Sequence, residues 1–393
     1  MKRVVLALLA ALALAAPASA GAPSKVDRAH IGDLETRLLP GRIPVEGAQF
    51  ETLGARMAAL KVPGVSIAFF EDGKVRWVKT YGVADAATRQ PLTPETRFQA
   101  ASMSKAVAAA GALRLVEAGR LSLDGDIDER LTSWRVPASE FTAVEKVTLR
   151  RLLSHTAGMT VSGFPGYRPD QAVPTTVQVL NGARPANTPA VRSQARPGSA
   201  WSYSGGGYTV AQLAMTDVSG EPFPALLHRL VLRPADMTHS TFQQPLGAAL
   251  KAGAASGHFV TGNPIPGGQN TYPEYAAAGL WTTPGDYARF AMALQRSLDG
   301  RKGALLQPAS IQAMTTPVLN GNGLGVIISR RGGRLAMEHS GSNVGFKCTF
   351  VAFLDGRREG FVVMTNSDNG AALIAEIQRA LATSYGWGAP QQP

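Results

Sequence analysis

The sequence predicts an α+β fold in which an antiparallel sheet is flanked by helices and carries an inserted, mainly helical lobe. Two observations support this prediction. Strand-like apolar runs with turn signals occur near residues 65–81 and again between residues 324 and 366. Residues 120–270 between them are rich in Pro, Gly and short helical patches and contain no convincing strand pair. The simplest closure pairs both groups of strands in one antiparallel sheet and leaves the middle as an insertion.

The first predicted elements are a helix and a hairpin. Apolar residues repeat at helical spacing before Pro63 and Gly64, which end the helix. These apolar residues are Phe50, Leu53, Met57 and Leu60. Residues 65–70 form a short apolar run, Asp72-Gly73 is a hairpin turn signal, and residues 75–81 form the return strand.

A helix is predicted next over residues 102–117, and strand character returns after residue 320. The late strand-like runs are residues 324–330, 334–339, 346–353 and 361–366. A final helix has one apolar face, formed by Leu373, Ile374, Ile377 and Leu381. The α/β lobe is therefore expected over about 45–120 and 270–385, and the helical lobe over about 120–270, within one domain of residues 21–393.

The residues that can carry chemistry begin with Ser102-Met103-Ser104-Lys105, an S-x-x-K tetrad at the start of the predicted helix. The spacing of three places Ser102 and Lys105 on one face. A serine hydroxyl is a weak nucleophile and needs a nearby base, and a lysine can serve if burial lowers its pKa. An isolated S-x-x-K match is more often a solvated helix face.

Two later stretches strengthen the catalytic interpretation. Residues 201–208 read Trp-Ser-Tyr-Ser-Gly-Gly-Gly-Tyr; the glycines allow close backbone approach to a ligand, and Tyr203 is a candidate proton shuttle. Residues 339–343 read His-Ser-Gly-Ser-Asn at the end of a predicted strand. Small residues such as Ser340 and Gly341 leave room for a substrate at the strand edge, where backbone N–H groups can bind an oxyanion.

In this order, the three stretches resemble the serine β-lactamase and penicillin-binding-protein superfamily, and most closely its class C β-lactamase, DD-peptidase and family VIII esterase branch. The resemblance covers about residues 45–385. It includes the phrases Leu-Leu-Ser-His-Thr-Ala-Gly at 152–158, Tyr-Pro-Glu at 272–274 and Gly-Ser-Asn at 341–343. It implies a β-lactamase/transpeptidase-like fold and acyl-enzyme chemistry without a metal or an organic cofactor.

The resemblance also implies roles for single residues. Ser102 would be the acylated nucleophile and Lys105 its partner, and Tyr203 would relay protons to the leaving group and activate the deacylating water. His339 occupies the place where many relatives have the lysine of K-T-G. The backbone N–H groups of Ser102 and Ser342 would form the oxyanion hole.

One position departs from the family pattern. The tyrosine motif is usually Y-x-N, and here Gly205 replaces the asparagine. Glycine cannot supply the hydrogen bond that the asparagine gives to a substrate amide, so the site discriminates less in favour of such substrates. Gly205 therefore favours ester-like or smaller acyl substrates over β-lactams and peptides.

Two further residues are interpreted as structural. His155 could complete a Ser-His pair, but a role at a helix end before Gly158 is the better interpretation. Cys348 alternates with apolar neighbours and is expected to be a small buried residue. As the only cysteine of the chain, it excludes a disulfide framework and a Cys-based zinc site.

The N-terminus is interpreted as a cleavable signal peptide over residues 1–20. Lys2 and Arg3 precede an uncharged apolar stretch, and Ala-Ser-Ala at 18–20 fits a cleavage site after Ala20. Loss of the two cations takes the net charge from +11 to +9. The expected location is periplasmic or secreted, with no membrane span after cleavage.

The expected partner is a small-molecule or peptide acyl substrate, and the basic net charge allows contact with an anionic surface such as the cell wall or lipid head groups. The basic residues come in pairs at most and show no aromatic interleaving, so nucleic acid is not expected. The sequence therefore predicts an exported serine hydrolase acting on an ester, amide or β-lactam carbonyl. The alternative is a weakly or non-catalytic penicillin- or peptidoglycan-binding protein.

Overall fold

The structure is a computed structural model and describes residues 23–41, 43, 45–388 and 390–391. The predicted signal peptide of residues 1–20 and its cleavage site lie outside the described residues. Within the described part of the chain, no helix is both long and apolar enough to cross a membrane.

The strands of both predicted groups share one sheet. The strands are β1 Gly64–Glu71, β2 Lys74–Asp85, β3 Gln90–Pro91, β4 Phe98–Gln99, β5 Trp281–Thr282, β6 Ile327–Arg331, β7 Arg334–Asn343, β8 Phe346–Phe353, β9 Gly360–Thr365 and β10 Pro390–Gln391. The large sheet has the order β10-β6-β7-β8-β9-β1-β2-β3, and its neighbouring strands are antiparallel. The short strands β4 and β5 form a separate two-stranded sheet. β1 lies between β2 and β9, with Val65 opposite Thr365. The predicted fold class is confirmed.

The helices surround this sheet and fill the middle of the chain. They are α1 Lys25–Thr36, α2 Leu53–Leu60, α3 Ser104–Glu117, α4 Glu140–Val144, α5 Leu149–Leu153, α6 Thr176–Asn181, α7 Gly205–Ser219, α8 Phe223–Leu227, α9 Ala248–Ala252, α10 Tyr275–Ala278, α11 Pro284–Ser297, α12 Pro308–Thr315 and α13 Gly370–Ser384. Residues 120–270, all of them described, contain isolated bridges but no strand.

Both faces of the sheet are covered, which explains the continuous apolar run of β1. Ile67 and Phe69 belong to a core with α1, α2 and α13, whereas Ala68 and Phe70 belong to a core with α3, α7 and α11. Because successive strand residues point to opposite faces, a strand buried on both sides has no polar alternation. The sheet is thereby fixed against the helices that carry the predicted site residues.

Several boundaries differ from the sequence predictions. The first predicted helix corresponds to α2, which starts at Leu53 with Thr52 as its N-cap, and Phe50 is exposed. Ser102 lies in a 3-10 turn, Ala101–Met103, and the α-helix starts only at Ser104. β7 continues four residues past the predicted end at residue 339, so the residues after His339 are part of the strand.

Candidate active site

Ser102 lies on a turn that the surrounding structure holds in an unfavourable backbone conformation. Ala101 has φ of +47°, in the left-handed region that non-glycine residues rarely adopt. The Ala101 carbonyl accepts a hydrogen bond from Ser104 Oγ at 2.6 Å, and Ser104 Oγ accepts one from the backbone N–H of Leu280 at 3.0 Å. Strain of this kind persists only where neighbouring contacts over-determine the backbone, and it is frequent at functional sites.

Lys105 connects the predicted nucleophile to α10. Its Nζ donates to Ser102 Oγ at 3.1 Å and to the carbonyl oxygen of Ala277 in α10 at 2.8 Å. Lys105 is 2% exposed, and it forms no ion pair with a carboxylate in the described part of the chain. The predicted serine–lysine pair is therefore in direct hydrogen-bond contact in a desolvated place, which is the geometry that activation of a serine hydroxyl requires.

Tyr203 lies next to the same side-chain nitrogen. Lys105 Nζ is 4.9 Å from the centre of the Tyr203 ring and 5.5 Å from that of the Tyr208 ring. Tyr208 is fixed by a hydrogen bond from its hydroxyl to the Leu153 carbonyl at 2.7 Å. Tyr203 is half-buried. Ser102, Lys105 and Tyr203 thus meet around one nitrogen atom, although a hundred residues of sequence separate Tyr203 from the other two.

His155 supports the tyrosine segment. Its ring lies 4.2 Å, centre to centre, from that of Tyr203, and its Nδ1 accepts a hydrogen bond from the Ser204 backbone N–H at 3.0 Å. The carbonyl of His155 accepts another from the Ser202 N–H at 2.8 Å. Burial lowers the pKa of His155 well below its ordinary value, and the nearby Lys105 lowers it further. A neutral His155 therefore holds the chain on both sides of Tyr203.

His339 lies on β7, facing the same site. Its ring centre is 6.3 Å from that of Tyr203, and the side chain is buried. Burial lowers the pKa of His339 to about 4, and the positive charge of Lys105 contributes to the shift. His339 Nδ1 lies 2.6 Å from the Ser340 carbonyl oxygen, which can only accept, so Nδ1 carries the proton of the neutral ring. The other nitrogen, Nε2, is then left as an acceptor.

The end of β7 offers a free edge. Its pairing with β6 stops at Glu338, while its pairing with β8 continues to Asn343. Gly341 faces inward, and a Cβ there would lie 2.4 Å from the Ala100 carbonyl oxygen and 2.5 Å from Cys348 Sγ. Only glycine fits this approach between the strand and the Ser102 turn.

The predicted site residues of β7 alternate between buried and exposed positions along the strand. Ser340 and Ser342 are exposed, whereas Asn343 is buried and donates to Gln99 Oε1 at 2.8 Å. Cys348 is buried as expected, and its thiol donates to the Ala100 carbonyl at 3.0 Å. β7 therefore brings the backbone of Gly341, the neighbour of Ser342, against the residues that precede Ser102.

Gly205 is the first residue of α7 and is buried. Its N–H donates to the Ser162 carbonyl at 3.2 Å, and a Cβ there would lie 2.8 Å from the ring of Phe164. The structure thus places Gly205, two residues from Tyr203, against the loop that contains Ser162 and Phe164. Sequence reasoning did not find Phe164, because only the folded chain brings residue 164 to the start of α7.

Sequence reasoning also missed the partners that hold the site residues. The Ala277 carbonyl and the Gln99–Asn343 hydrogen bond come from segments with no chemical motif of their own. No group of three or more His, Cys, Asp or Glu side chains in the described residues could hold a metal ion.

Comparisons with known proteins identify the family and the fold. Residues 51–384 match the sequence model of the Beta-lactamase family. Protein flp of Staphylococcus aureus (strain N315) is 26% identical over 231 residues, which cover 58% of this chain and 42% of that protein. The chain therefore spans less than half of the length of that relative.

Solved structures show the same fold. The octameric penicillin-binding protein homologue from Pyrococcus abyssi superposes with a TM-score of 0.71 at 26% identity, over 86% of this chain and 76% of that one. The D-amino acid amidase from Ochrobactrum anthropi SV3 superposes with a TM-score of 0.68 at 20% identity, over 92% of this chain and 100% of that one.

Proposed function

The chain belongs to the Beta-lactamase family, and we propose that it is an exported serine hydrolase that acts through an acyl-enzyme on Ser102. The observation that carries the proposal is the 3.1 Å hydrogen bond between Lys105 Nζ and Ser102 Oγ, buried beside Tyr203 and the free edge of β7. A nucleophile, proton-transfer groups and backbone donors in one place are the parts that acyl transfer needs.

In the proposed first step, Ser102 Oγ attacks the carbonyl carbon of the substrate. Lys105, as the neutral amine, takes the hydroxyl proton and passes it through Tyr203 to the leaving group. The oxygen that becomes negatively charged is bound by the backbone N–H groups of Ser102 and Ser342. Neutral His339 adds a hydrogen-bond acceptor, Nε2, to the site without adding charge.

In the second step, water attacks the ester bond between the acyl group and Ser102. Tyr203 takes a proton from the water as it gives its own proton to Lys105, and Lys105 returns a proton to Ser102 Oγ. The products are an acid and the free enzyme.

Esters are the proposed substrate class. Gly205 has no side chain to bind a substrate amide, and Phe164 lies where such a side chain would extend. A site without that partner gives up much of its discrimination in favour of amide-containing substrates. The location is proposed to be periplasmic or secreted, on the basis of the basic, apolar and small-residue pattern of residues 1–20. Contact with the cell wall remains a proposal that the net charge supports.

The experiment is a hydrolysis assay with p-nitrophenyl acetate, combined with intact-mass analysis after addition of a fluorophosphonate or a penicillin. We expect the wild-type protein to hydrolyse the ester and to gain one fluorophosphonate adduct. Ser102→Ala should lose both, while its melting temperature stays unchanged. Ser219→Ala, at the other end of α7, is the matched control and should keep both.

Undiminished hydrolysis by Ser102→Ala would contradict the proposed mechanism. A wild-type protein that hydrolyses nothing and gains no adduct, but retains affinity for penicillin or peptidoglycan, would instead support the non-catalytic binding alternative.

A further inference from the structure

Phe164 fills the space beside Gly205 in which a side chain would extend. A Cβ atom on Gly205 would lie 2.8 Å from Phe164 Cε2 and 3.2 Å from the Ser162 carbonyl oxygen. Gly205 has ordinary helical backbone angles, so its conformation does not require glycine. The requirement comes from space: any side chain at position 205 would displace the ring of Phe164.

The loop that carries Phe164 is bound to the start of α7. Three hydrogen bonds join the two segments: Ser204 Oγ to the Thr160 carbonyl at 2.8 Å, Gly206 N–H to the Val161 carbonyl at 2.9 Å, and Gly205 N–H to the Ser162 carbonyl at 3.2 Å. Val161 has φ of +64°, which is costly for a β-branched residue. Such strain persists where contacts fix it, and it marks functional sites more often than ordinary loops.

The other end of the loop is linked to β7. The Pro165 carbonyl accepts from Asn270 Nδ2 at 3.1 Å, and the Asn270 carbonyl accepts from Gln99 Nε2 at 2.7 Å. Gln99 Oε1 in turn accepts from Asn343 Nδ2 at 2.8 Å. Phe164 is therefore held between the helix that follows Tyr203 and the strand that carries the proposed oxyanion hole. The ring is half-buried, so part of its surface remains accessible.

Charge at the site also restricts the substrate. His339 is neutral at physiological pH because burial lowers its pKa to about 4. Of the predicted catalytic residues, only Lys105 can be cationic, and its Nζ is bound to Ser102 Oγ and to the Ala277 carbonyl. These residues leave no spare cation to bind a carboxylate on the substrate.

We propose that Phe164 forms the acyl-side wall of the substrate site and selects neutral esters whose acyl group is a hydrocarbon chain. This inference rests on the proposed function. A hydrocarbon chain next to the scissile carbonyl removes apolar surface from water when it packs on the phenyl ring. An acylamino group in the same place would lose its water without gaining a hydrogen-bond partner.

The test compares three p-nitrophenyl esters, of acetic acid, butyric acid and N-acetylglycine, each corrected for spontaneous hydrolysis. The wild-type protein should prefer butyrate to both other esters in kcat/KM. Phe164→Ala should lower the butyrate-to-acetate ratio of kcat/KM about tenfold, within the range that small changes of apolar contact produce in a pocket. Phe50→Ala removes an exposed phenylalanine that contacts Arg37, and it should leave the ratio unchanged.

Phe164→Leu keeps an apolar side chain and provides the second variant if Phe164→Ala does not fold. With it, the ratio of kcat/KM for p-nitrophenyl phenylacetate to that for butyrate should fall, because the aromatic ring-to-ring contact is lost. An unchanged ratio in a folded Phe164 variant would overturn the inference, as would a wild-type preference for the N-acetylglycine ester. Failure of the proposed function looks different, because the wild-type protein would then show no Ser102-dependent hydrolysis of any ester, acetate included.

Discussion

Burial of His339 affects both the charge of the site and the dependence of protein stability on pH. The side chain is 6% exposed and lies close enough to Lys105 for that charge to disfavour a second one. The imidazole is therefore neutral in the folded protein, whereas a lysine at this place would bring a cation. A neutral acceptor fits a substrate without a carboxylate.

Replacing His339 with Gln should reduce the acid sensitivity of the protein. The folded pKa of about 4 lies below the ordinary value of 6.5, so the unfolded chain takes up the proton first as the pH falls. The stability is fully present above pH 6.5 and is lost as the pH falls towards 4, by up to about 3 kcal/mol for this group. Urea unfolding at pH 7, 5.5 and 4.5 should show a smaller loss for His339→Gln.

Parallel pH dependences of the two proteins would contradict this account of His339. The wild-type loss need not vanish in the variant, because burial also lowers the pKa of His155 and acts in the same direction.

The sequence could predict the residues of the candidate site but not the atoms that hold them. Ser102 and Lys105 are three residues apart, so local geometry alone places them together. The Ala277 carbonyl and Phe164 reach the site only through tertiary packing, and neither a backbone carbonyl nor a lone phenylalanine has a sequence signal.

At the scale of elements, α7 connects two parts of the site. Tyr203 lies just before its N-cap, Ser204, and Gln212 lies two turns further along. Gln212 is buried; its Oε1 accepts from the Ala276 N–H at 2.9 Å, and its Nε2 donates to the Pro273 carbonyl at 3.0 Å. The residue after Ala276 supplies the carbonyl that binds Lys105. α7 therefore fixes both Tyr203 and the lysine.

Gln212→Leu should lower kcat for ester hydrolysis about tenfold or more, because the Ala277 carbonyl loses its support and Lys105 is no longer held against Ser102. The matched control is Gln295→Leu on α11. Gln295 is equally buried and donates to the Phe353 carbonyl at 2.7 Å, far along the sheet from Lys105. Each variant should lose about 1–3 kcal/mol of stability. Equal kcat values in the two variants would show that Gln212 supports only the fold.

The C-terminal end of β7 could not be predicted from the residue pattern. Residues 340–343 are Ser, Gly, Ser and Asn, which have low strand propensity, so the apolar alternation stops at His339. The pairing of Ser342 with Lys347 and of Asn343 with Phe346 nonetheless extends the strand. Tertiary pairing overrides propensity at the place where the backbone approaches Ser102. The hairpin of β1 and β2, in contrast, has both the apolar runs and the Asp72-Gly73 turn, and was predictable.

At the scale of the whole molecule, a buried acid limits stability at high pH. Glu274 is fully buried at the start of α10, and neither carboxylate oxygen has a hydrogen-bond partner in the described residues. Burial raises its pKa to about 8. A carboxyl group in such a place remains protonated at neutral pH and resists ionisation.

Glu274→Gln should make stability less dependent on pH on the alkaline side. The folded pKa is raised above the unfolded value of about 4.3, so the stabilisation is complete below that value and is lost as the pH rises through 8. Gln does not ionise, and the free energy of unfolding should therefore fall less between pH 5 and pH 9 in the variant. Chemical denaturation at these two pH values checks the prediction, and an equal fall in both proteins would refute it.

Because β1 lies between β2 and β9, the sheet cannot be completed until late in the synthesis of the chain. β1 ends at Glu71 and β9 begins at Gly360, so about 290 residues must be added first, which takes roughly 15–60 s at 5–20 residues per second. Through that interval the newly made hairpin has one open edge. Val65, Ile67 and Phe69 of β1 also lack those packing partners that belong to the C-terminal elements. The nascent chain therefore carries an aggregation-prone strand until almost all of the chain has left the ribosome.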